Sequence, residues 1–217
     1  EQKINGMYYQ TVSAYTKSGS NLIATGTSNV YLSTDNGDTW TAATGLPGGN
    51  GVSCLAANGA NVFAGTSGRG VYVSTDNGAT WTASSTGLPG GGTNTYVGSI
   101  VTNGSTILTS ATNNNVQQTM YRSTDNGVSW SLANTGLPLD YSAYYSMYRD
   151  GSTIYAGGSY LCKTTNNGDT WTQTDNGIPT YSGVSEIRAS GSNIFAAAFN
   201  YMYRSTDGGA NWTALSG

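Results

Sequence analysis

One eight-residue phrase is written five times along this chain. It reads STDNGDTW at 33–40, STDNGATW at 74–81, STDNGVSW at 123–130, TTNNGDTW at 164–171 and STDGGANW at 205–212. The copies start 41, 49, 41 and 41 residues apart. A period of that length encodes one supersecondary unit that cannot bury its own apolar face, so successive units must stack. Architecture is therefore constrained far more tightly than activity.

The second unit shows what repeats. Strand-like residues at 52–57 (VSCLAA) lead into the turn Asn58-Gly59-Ala60-Asn61. A second strand follows at 62–66 (VFAGT), a loop at 67–70 and a third strand at 71–74 (VYVS). The phrase turns the chain into a fourth strand at 81–84, which Gly87-Leu88-Pro89 breaks. The first turn recurs around Gly19, Gly104, Gly151 and Gly191, and the breaker at Gly45-Leu46-Pro47, Gly136-Leu137-Pro138 and Gly177-Ile178-Pro179. No segment holds a helical period. The expected fold is all-β: a five-bladed β-propeller of four-stranded antiparallel blades, one phrase per blade between strands three and four. An open β-solenoid is the alternative, although its turns are usually shorter. The propeller would be a single domain over 1–217, with blades at about 8–46, 47–88, 89–137, 138–178 and 179–217. Strands of the two ends do not interleave in this register. Packing between blades would close the ring alone, unless residues 1–7 add an edge strand.

Ser/Thr-x-Asp-x-Gly-x-Thr-Trp is the Asp-box or BNR repeat, and over residues 8–217 the chain resembles the Asp-box propellers. These include sialidases, the sortilin-type receptor domain, xyloglucanase-type glycoside hydrolases and photosystem assembly-factor propellers. The resemblance specifies fold well and function poorly, since one scaffold hosts many activities. The residue chemistry fits a structural role for the boxes. Asp35, Asp76, Asp125, Asn166 and Asp207 offer acceptors for turn N–H groups, and the following Gly supplies positive φ. Trp40, Trp81, Trp130, Trp171 and Trp212, all the tryptophans in the chain, are large enough to wedge between blades. A calcium reading of Asp-Asn-Gly-Asp is weak. Such a loop needs six or more oxygen ligands, and the second acid is replaced by Ala79, Val128 and Ala210 in three copies. No metal and no cofactor are expected.

Composition narrows the function classes. Charged residues are 9% of the chain and the net charge is −3, without the basic patch that nucleic acid requires. No apolar run approaches a membrane span. A surface poor in charge and rich in Thr, Asn and Tyr points to a secreted or cell-surface location. The absence of His removes Ser-His-Asp and Cys-His catalysis and His-ligated zinc. Cys162 takes the slot of Tyr31, Tyr72, Tyr121 and Tyr203, so a packing thiol is expected, unpaired with Cys54.

Sialidases would need an arginine triad. Arg122 and Arg204 share a repeated slot with Lys163, which reads as scaffold, and no triad maps residue by residue. Glu186 and Arg188 lie two apart on a first strand near the axis, which favours an ion pair lining the channel. Two carboxyls across a cleft, as glycosidases need, would have to come from Asp140, Asp175 and Glu186. No catalytic residues are assigned.

In the families the chain resembles, ligands meet the face built by the inter-blade connections and the loops between second and third strands. The copies vary in those same segments, and the longer third unit has its extra residues there. Loops on a rigid scaffold carry function. Candidate ligand residues are Tyr9, Arg69, Tyr96, Tyr141, Tyr144, Tyr145, Tyr160, Tyr181, Glu186, Arg188 and Tyr201. The reading is a binding or interaction module for a glycan or a protein partner. A glycoside hydrolase or sialidase-like enzyme and a structural subunit of a larger surface or secretion assembly are the alternatives.

Overall fold

In the computed structural model, residues 6–7, 10–27, 29–46, 51–113, 116–138 and 144–215 are described, with the backbone alone at 116–118. The protein is all-β, and its strands run in order through the repeats. The first unit contributes β1 (Tyr15–Ser18), β2 (Asn21–Thr25), β3 (Val30–Ser33) and β4 (Thr41–Ala42). The second has β5 (Val52–Asn58), β6 (Asn61–Gly68), β7 (Val71–Ser74) and β8 (Thr82–Ala83). The third has β9 (Thr95–Asn103), β10 (Thr106–Asn113), β11 (Val116–Ser123) and β12 (Ser131–Leu132). Next come β13 (Tyr144–Asp150), β14 (Thr153–Gly158), β15 (Leu161–Thr164) and β16 (Thr172–Gln173). The last set is β17 (Val184–Ser190), β18 (Asn193–Ala198), β19 (Tyr201–Ser205) and β20 (Thr213–Ala214). Each strand pairs antiparallel with the next in its set.

The second and third sets fuse into one eight-stranded sheet. The second unit's second strand was expected to stop at Thr66. It continues to Gly68 because Ser67 and Gly68 pair with Tyr96 and Thr95 at the start of β9. The longer third unit makes this possible. Its additional residues form a 3₁₀ turn at Pro89–Gly92 and lengthen β9, β10 and β11.

Apolar side chains are buried between sets rather than within them. One cluster joins Ile23 and Val30 of the first unit to Val52, Val62, Ala64 and Trp81 of the second. Equivalent clusters join the second unit to the third around Phe63 and Trp130, the third to the fourth around Leu108 and Trp171, and the fourth to the fifth around Tyr155 and Trp212. This is the stacking that a 41-residue period requires. Cys162 is fully buried in one of these clusters and forms no disulfide; burial pushes its thiol up to about 12.

Candidate functional site

The geometry of the boxes shows how their polar groups are used. In the first copy, Asp35 Oδ1 accepts hydrogen bonds from Ser33 Oγ (2.8 Å) and Thr39 N (2.9 Å), and Oδ2 accepts from Thr39 Oγ1 (2.5 Å). Ser33 Oγ in turn accepts from Gly37 N at 2.8 Å. The same pattern holds at Asp76, Asp125 and Asp207. The turn needs two consecutive positive φ values, 59° and 98° at Asn36-Gly37, and the fifth copy meets this with Gly208-Gly209.

Asn166 preserves the geometry and reverses one bond. Its Oδ1 accepts from Thr164 Oγ1 (2.8 Å) and Thr170 N (3.0 Å), while its Nδ2 donates to Thr170 Oγ1 (2.9 Å). The four acids are held at about 2. At Asp35, Asp125 and Asp207 the side chain four residues on donates to the carboxylate, and its backbone N–H and the box serine add to the effect. At Asp76 desolvation pushes upward, and the bonds from Thr80, Ser74 and Ala79 outweigh it. These carboxylates are occupied by their own turns.

Each box tryptophan after the first locks its unit to the preceding one. The backbone N–H groups of Trp130, Trp171 and Trp212 each donate at 2.8 Å to a carbonyl of the previous unit's tail (Thr86, Thr135, Asn176). Their indole Nε1 atoms donate to Ser84, Ala133 and Thr174 carbonyls at 2.7–2.8 Å. The breaker glycine is needed for this contact: at Gly177 a Cβ would run into the carbonyl oxygen of Trp212, and φ is 98°. Gly6 makes the same approach to Trp40, with Met7 buried beside it. The segment before the first unit thus reproduces the Gly-Leu contact made by every later breaker. Residues 1–5, where an edge strand was entertained, lie outside the described residues.

The opposite face is built from the unequal loops. Arg69, between β6 and β7, and Asn94, in the connection to β9, line one cavity of about 380 Å³. Tyr160, between β14 and β15, donates through its hydroxyl to Tyr181 Oη at 3.0 Å, with ring centroids 5.3 Å apart. Tyr181 belongs to the connection that follows, so in both pairs one member comes from each of the two expected loop types. Counted from the first-turn glycine, Asn94 and Tyr181 occupy the same position, and both have left-handed backbone (φ 51° and 61°). Asn tolerates that conformation; Tyr is strained there.

A cavity of about 450 Å³ lies where the first strands of all the units converge. Its wall takes Ser13, Ser53, Tyr145 and Ser185 from one register position, and Ser99, Ser146 and Glu186 from the next. Several of these serines hold neighbouring first strands together. Ser53 Oγ donates to Val97 O at 2.7 Å, and Ser99 Oγ accepts from Met147 N at 3.1 Å. Glu186 and Arg188 form an ion pair on this wall, with the Arg188 guanidinium 5.6 Å from the Tyr148 ring centroid. Among the described lining residues Glu186 is the one carboxylate, which does not furnish the opposed pair that glycoside hydrolysis uses.

The sequence-selected residues therefore divide. Tyr145, Glu186 and Arg188 line the axial cavity. Tyr181 is exposed on the loop face; Tyr160 is corrected to a supporting role, since it is buried in the third-to-fourth-unit cluster and its hydroxyl meets Tyr181; Arg69 lines its own cavity, and Tyr96 and Tyr201 are exposed at strand ends. Tyr144 is corrected: it is 1% exposed, in the slot of Val52 and Val184, and packs in the third-to-fourth-unit cluster with its hydroxyl 3.8 Å from Cys162 Sγ. Alternation along β13 turns it away from the face that Tyr145 occupies. Tyr9 and Tyr141 lie outside the described residues. The serine ring and Met7 were missed. Their signal was available by aligning the copies on the first-turn glycine and on the breaker.

A family model described as Sortilin-Vps10 (sortilin, neurotensin receptor 3) matches residues 28–137, just over half of the chain. The chain belongs to the Sortilin-Vps10 family. A BNR/Asp-box repeat model also matches residues 203–214. Several solved structures share the fold of this Sortilin-Vps10 member. The GH74 xyloglucanase from Xanthomonas campestris superposes with a TM-score of 0.72 at 21% identity, over 94% of this chain and 38% of that one. YCF48 bound to D1 peptide gives 0.69 at 16%, over 99% and 75%. The GH74 enzyme of Niastella koreensis gives 0.63 at 26%, over 94% and 31%. The chain thus spans well under half of either GH74 protein. No curated protein sequence matches it. Among the described residues no helix is long and apolar enough to cross a membrane.

Proposed function

We propose that the chain is a five-bladed Asp-box propeller over 1–217 that acts as an extracellular binding module, taking an extended glycan on its loop face. The blade count is supported by five boxes in one register and by first strands from every unit around one cavity. The observation that carries the binding reading is Tyr181. It keeps a strained positive φ at a position where Asn94 serves in another unit, it is 58% exposed, and it is braced by Tyr160. Backbone strain held at an exposed, braced aromatic is expected where a ligand uses that ring. The exposed Tyr181 ring suits stacking on a sugar, and Arg69 and Asn94 in their separate cavity suit hydrogen bonding to one.

A protein ligand is the second reading, favoured by the peptide-bound state of one structural relative. Hydrolysis is less well supported, because the axial cavity offers Glu186 without an opposed acid among the described residues. Parallel glycan and peptide arrays, run with glycosidase assays, test the proposal. Tyr181→Ala is expected to weaken binding about tenfold or more, roughly 1.4 kcal/mol, with the thermal midpoint retained. Full binding by that variant would move the site off this face. Silence on both arrays and in the assays would leave the structural-subunit reading.

A further inference from the structure

The step from the second box to the third is 49 residues where every other step is 41. Part of the excess encloses the loop that carries Arg69. The connection after the second unit folds as a turn at Pro89–Gly92, with φ of 70°, 59° and 95° at Gly90, Gly91 and Gly92. Thr95 anchors it and is 0% exposed. Its Oγ1 donates to the Pro89 carbonyl, its own carbonyl accepts from Gly70 N at 2.9 Å, and it pairs with Gly68 at the end of β6. Within the loop, Thr66 Oγ1 accepts from Arg69 N at 3.0 Å and donates to Gly70 O at 2.8 Å. A Cβ on Gly70 would lie 3.0 Å from Gly92 Cα and closer still to Ser85 Oγ, so turn and loop are in direct backbone contact. The Arg69 backbone is thus held from both sides, and a ligand would not have to order it.

The cavity beside Arg69, about 380 Å³, falls in the size range of small-ligand sites. Ser85 and Gly92 are buried at its base, Tyr72 is half-buried in its wall, and Arg69, Gly91, Thr93 and Asn94 are exposed around it. Among the described residues no acid lines it. Other cations of the chain are used inside the scaffold: Arg122 on Asp169, Arg149 on Asn103 Oδ1, Lys163 on the Gly208 carbonyl and Arg188 on Glu186. Lys17 and Arg204 lie toward the first turn and the box, on the other face. On the loop face, Arg69 is in no ion pair among the described residues.

We infer that this cavity takes an acidic sugar unit of the glycan, with the Arg69 guanidinium on its carboxylate or sulfate group. The guanidinium is a planar fork of donors that matches either anion. Thr93 and Asn94 offer hydrogen bonds to sugar hydroxyls, and Tyr72 offers an apolar wall to the C–H face of the ring. A fixed cation in an acid-free cavity selects for charge as well as shape. The inference rests on the loop face binding a glycan and narrows which glycans it takes.

Isothermal titration with matched neutral, uronate-bearing and sulfated oligosaccharides tests it. The wild-type chain is expected to bind at least one acidic series about tenfold or more tighter than the neutral one. Salt at about 1 M, where the screening length falls to about 3 Å, is expected to remove most of that advantage. The uronate and sulfate arms show which anion is used. Arg69→Gln is expected to bring acidic and neutral affinities together, and Arg69→Lys to recover part of the preference, because it restores the charge without the fork. Thermal midpoints are expected to stay at the wild-type value in both variants, since the side chain is exposed. Equal affinity for acidic and neutral glycans, or a preference that survives Arg69→Gln, would overturn the inference and leave a glycan-binding loop face standing. Binding to no glycan at all would overturn both.

Discussion

The two faces of the molecule use similar residues for opposite ends. On the box face, Asp, Asn, Ser and Thr are consumed by their own turns, and every tryptophan after the first is sealed between units. On the loop face, Tyr181 is exposed over the buried Tyr160 that braces it, and Arg69 and Asn94 line a cavity; each is specific to its unit. Repetition marks what each unit needs in order to stack. Departure from repetition marks where the chain can do something particular.

The largest expected effect separates the faces directly. Trp171→Ala removes a 3%-exposed side chain and its indole bond to Ala133 O, and is expected to cost about 3–5 kcal/mol in urea unfolding. Tyr181→Ala on the loop face is expected to stay within about 1 kcal/mol, because the ring is 58% exposed and little packing is lost, while the Cβ and its positive φ are unchanged. A Trp171→Ala chain as stable as wild type would break the distinction.

Next is the box acid. Asp125→Ala orphans the Ser129 N–H and both hydroxyls that bond the carboxylate, at an expected cost of about 1–3 kcal/mol. Asp125→Asn is expected to lose less than half of that, because Asn166 already works in this setting with its Nδ2 donating to a threonine hydroxyl. Equal losses for the two variants would show that charge, rather than geometry, holds the turn. Denaturant midpoints for both variants decide it.

Most of the fold was legible because it repeats. Five aligned copies identified the turns, the strand order and the tryptophan wedges without any long-range information. What escaped was non-repetitive or needed three dimensions. Tyr144 read as a surface residue because tyrosines crowd the loops around it, yet its register is that of Val52 and Val184, and register overrides composition. The extension of β6 to Gly68 escaped because it depends on a strand of the next unit. The pairing of Tyr160 with Tyr181 joins residues 21 apart through two loops whose paths the repeat does not specify.

The smallest effect is expected with acid, and it tests the box face as a whole. Asp35, Asp76, Asp125 and Asp207 are held at about 2 against an ordinary value of 3.8. A depressed folded-state value means that the unfolded chain takes up protons first as pH falls. The stabilisation from these carboxylates is therefore complete above about pH 4 and is lost progressively between 4 and 2. All four lie in exposed turns, so screening by solvent keeps each contribution small. Asn166 does not titrate, and the fourth unit is exempt. Replacing Asp125 with Asn should therefore flatten the acid limb of the stability profile by about a quarter of this four-acid contribution, while Tyr181→Ala should leave its shape unchanged. If Asp125→Asn leaves the limb as steep as before, the protons are taken up elsewhere, and the boxes hold their turns without help from charge.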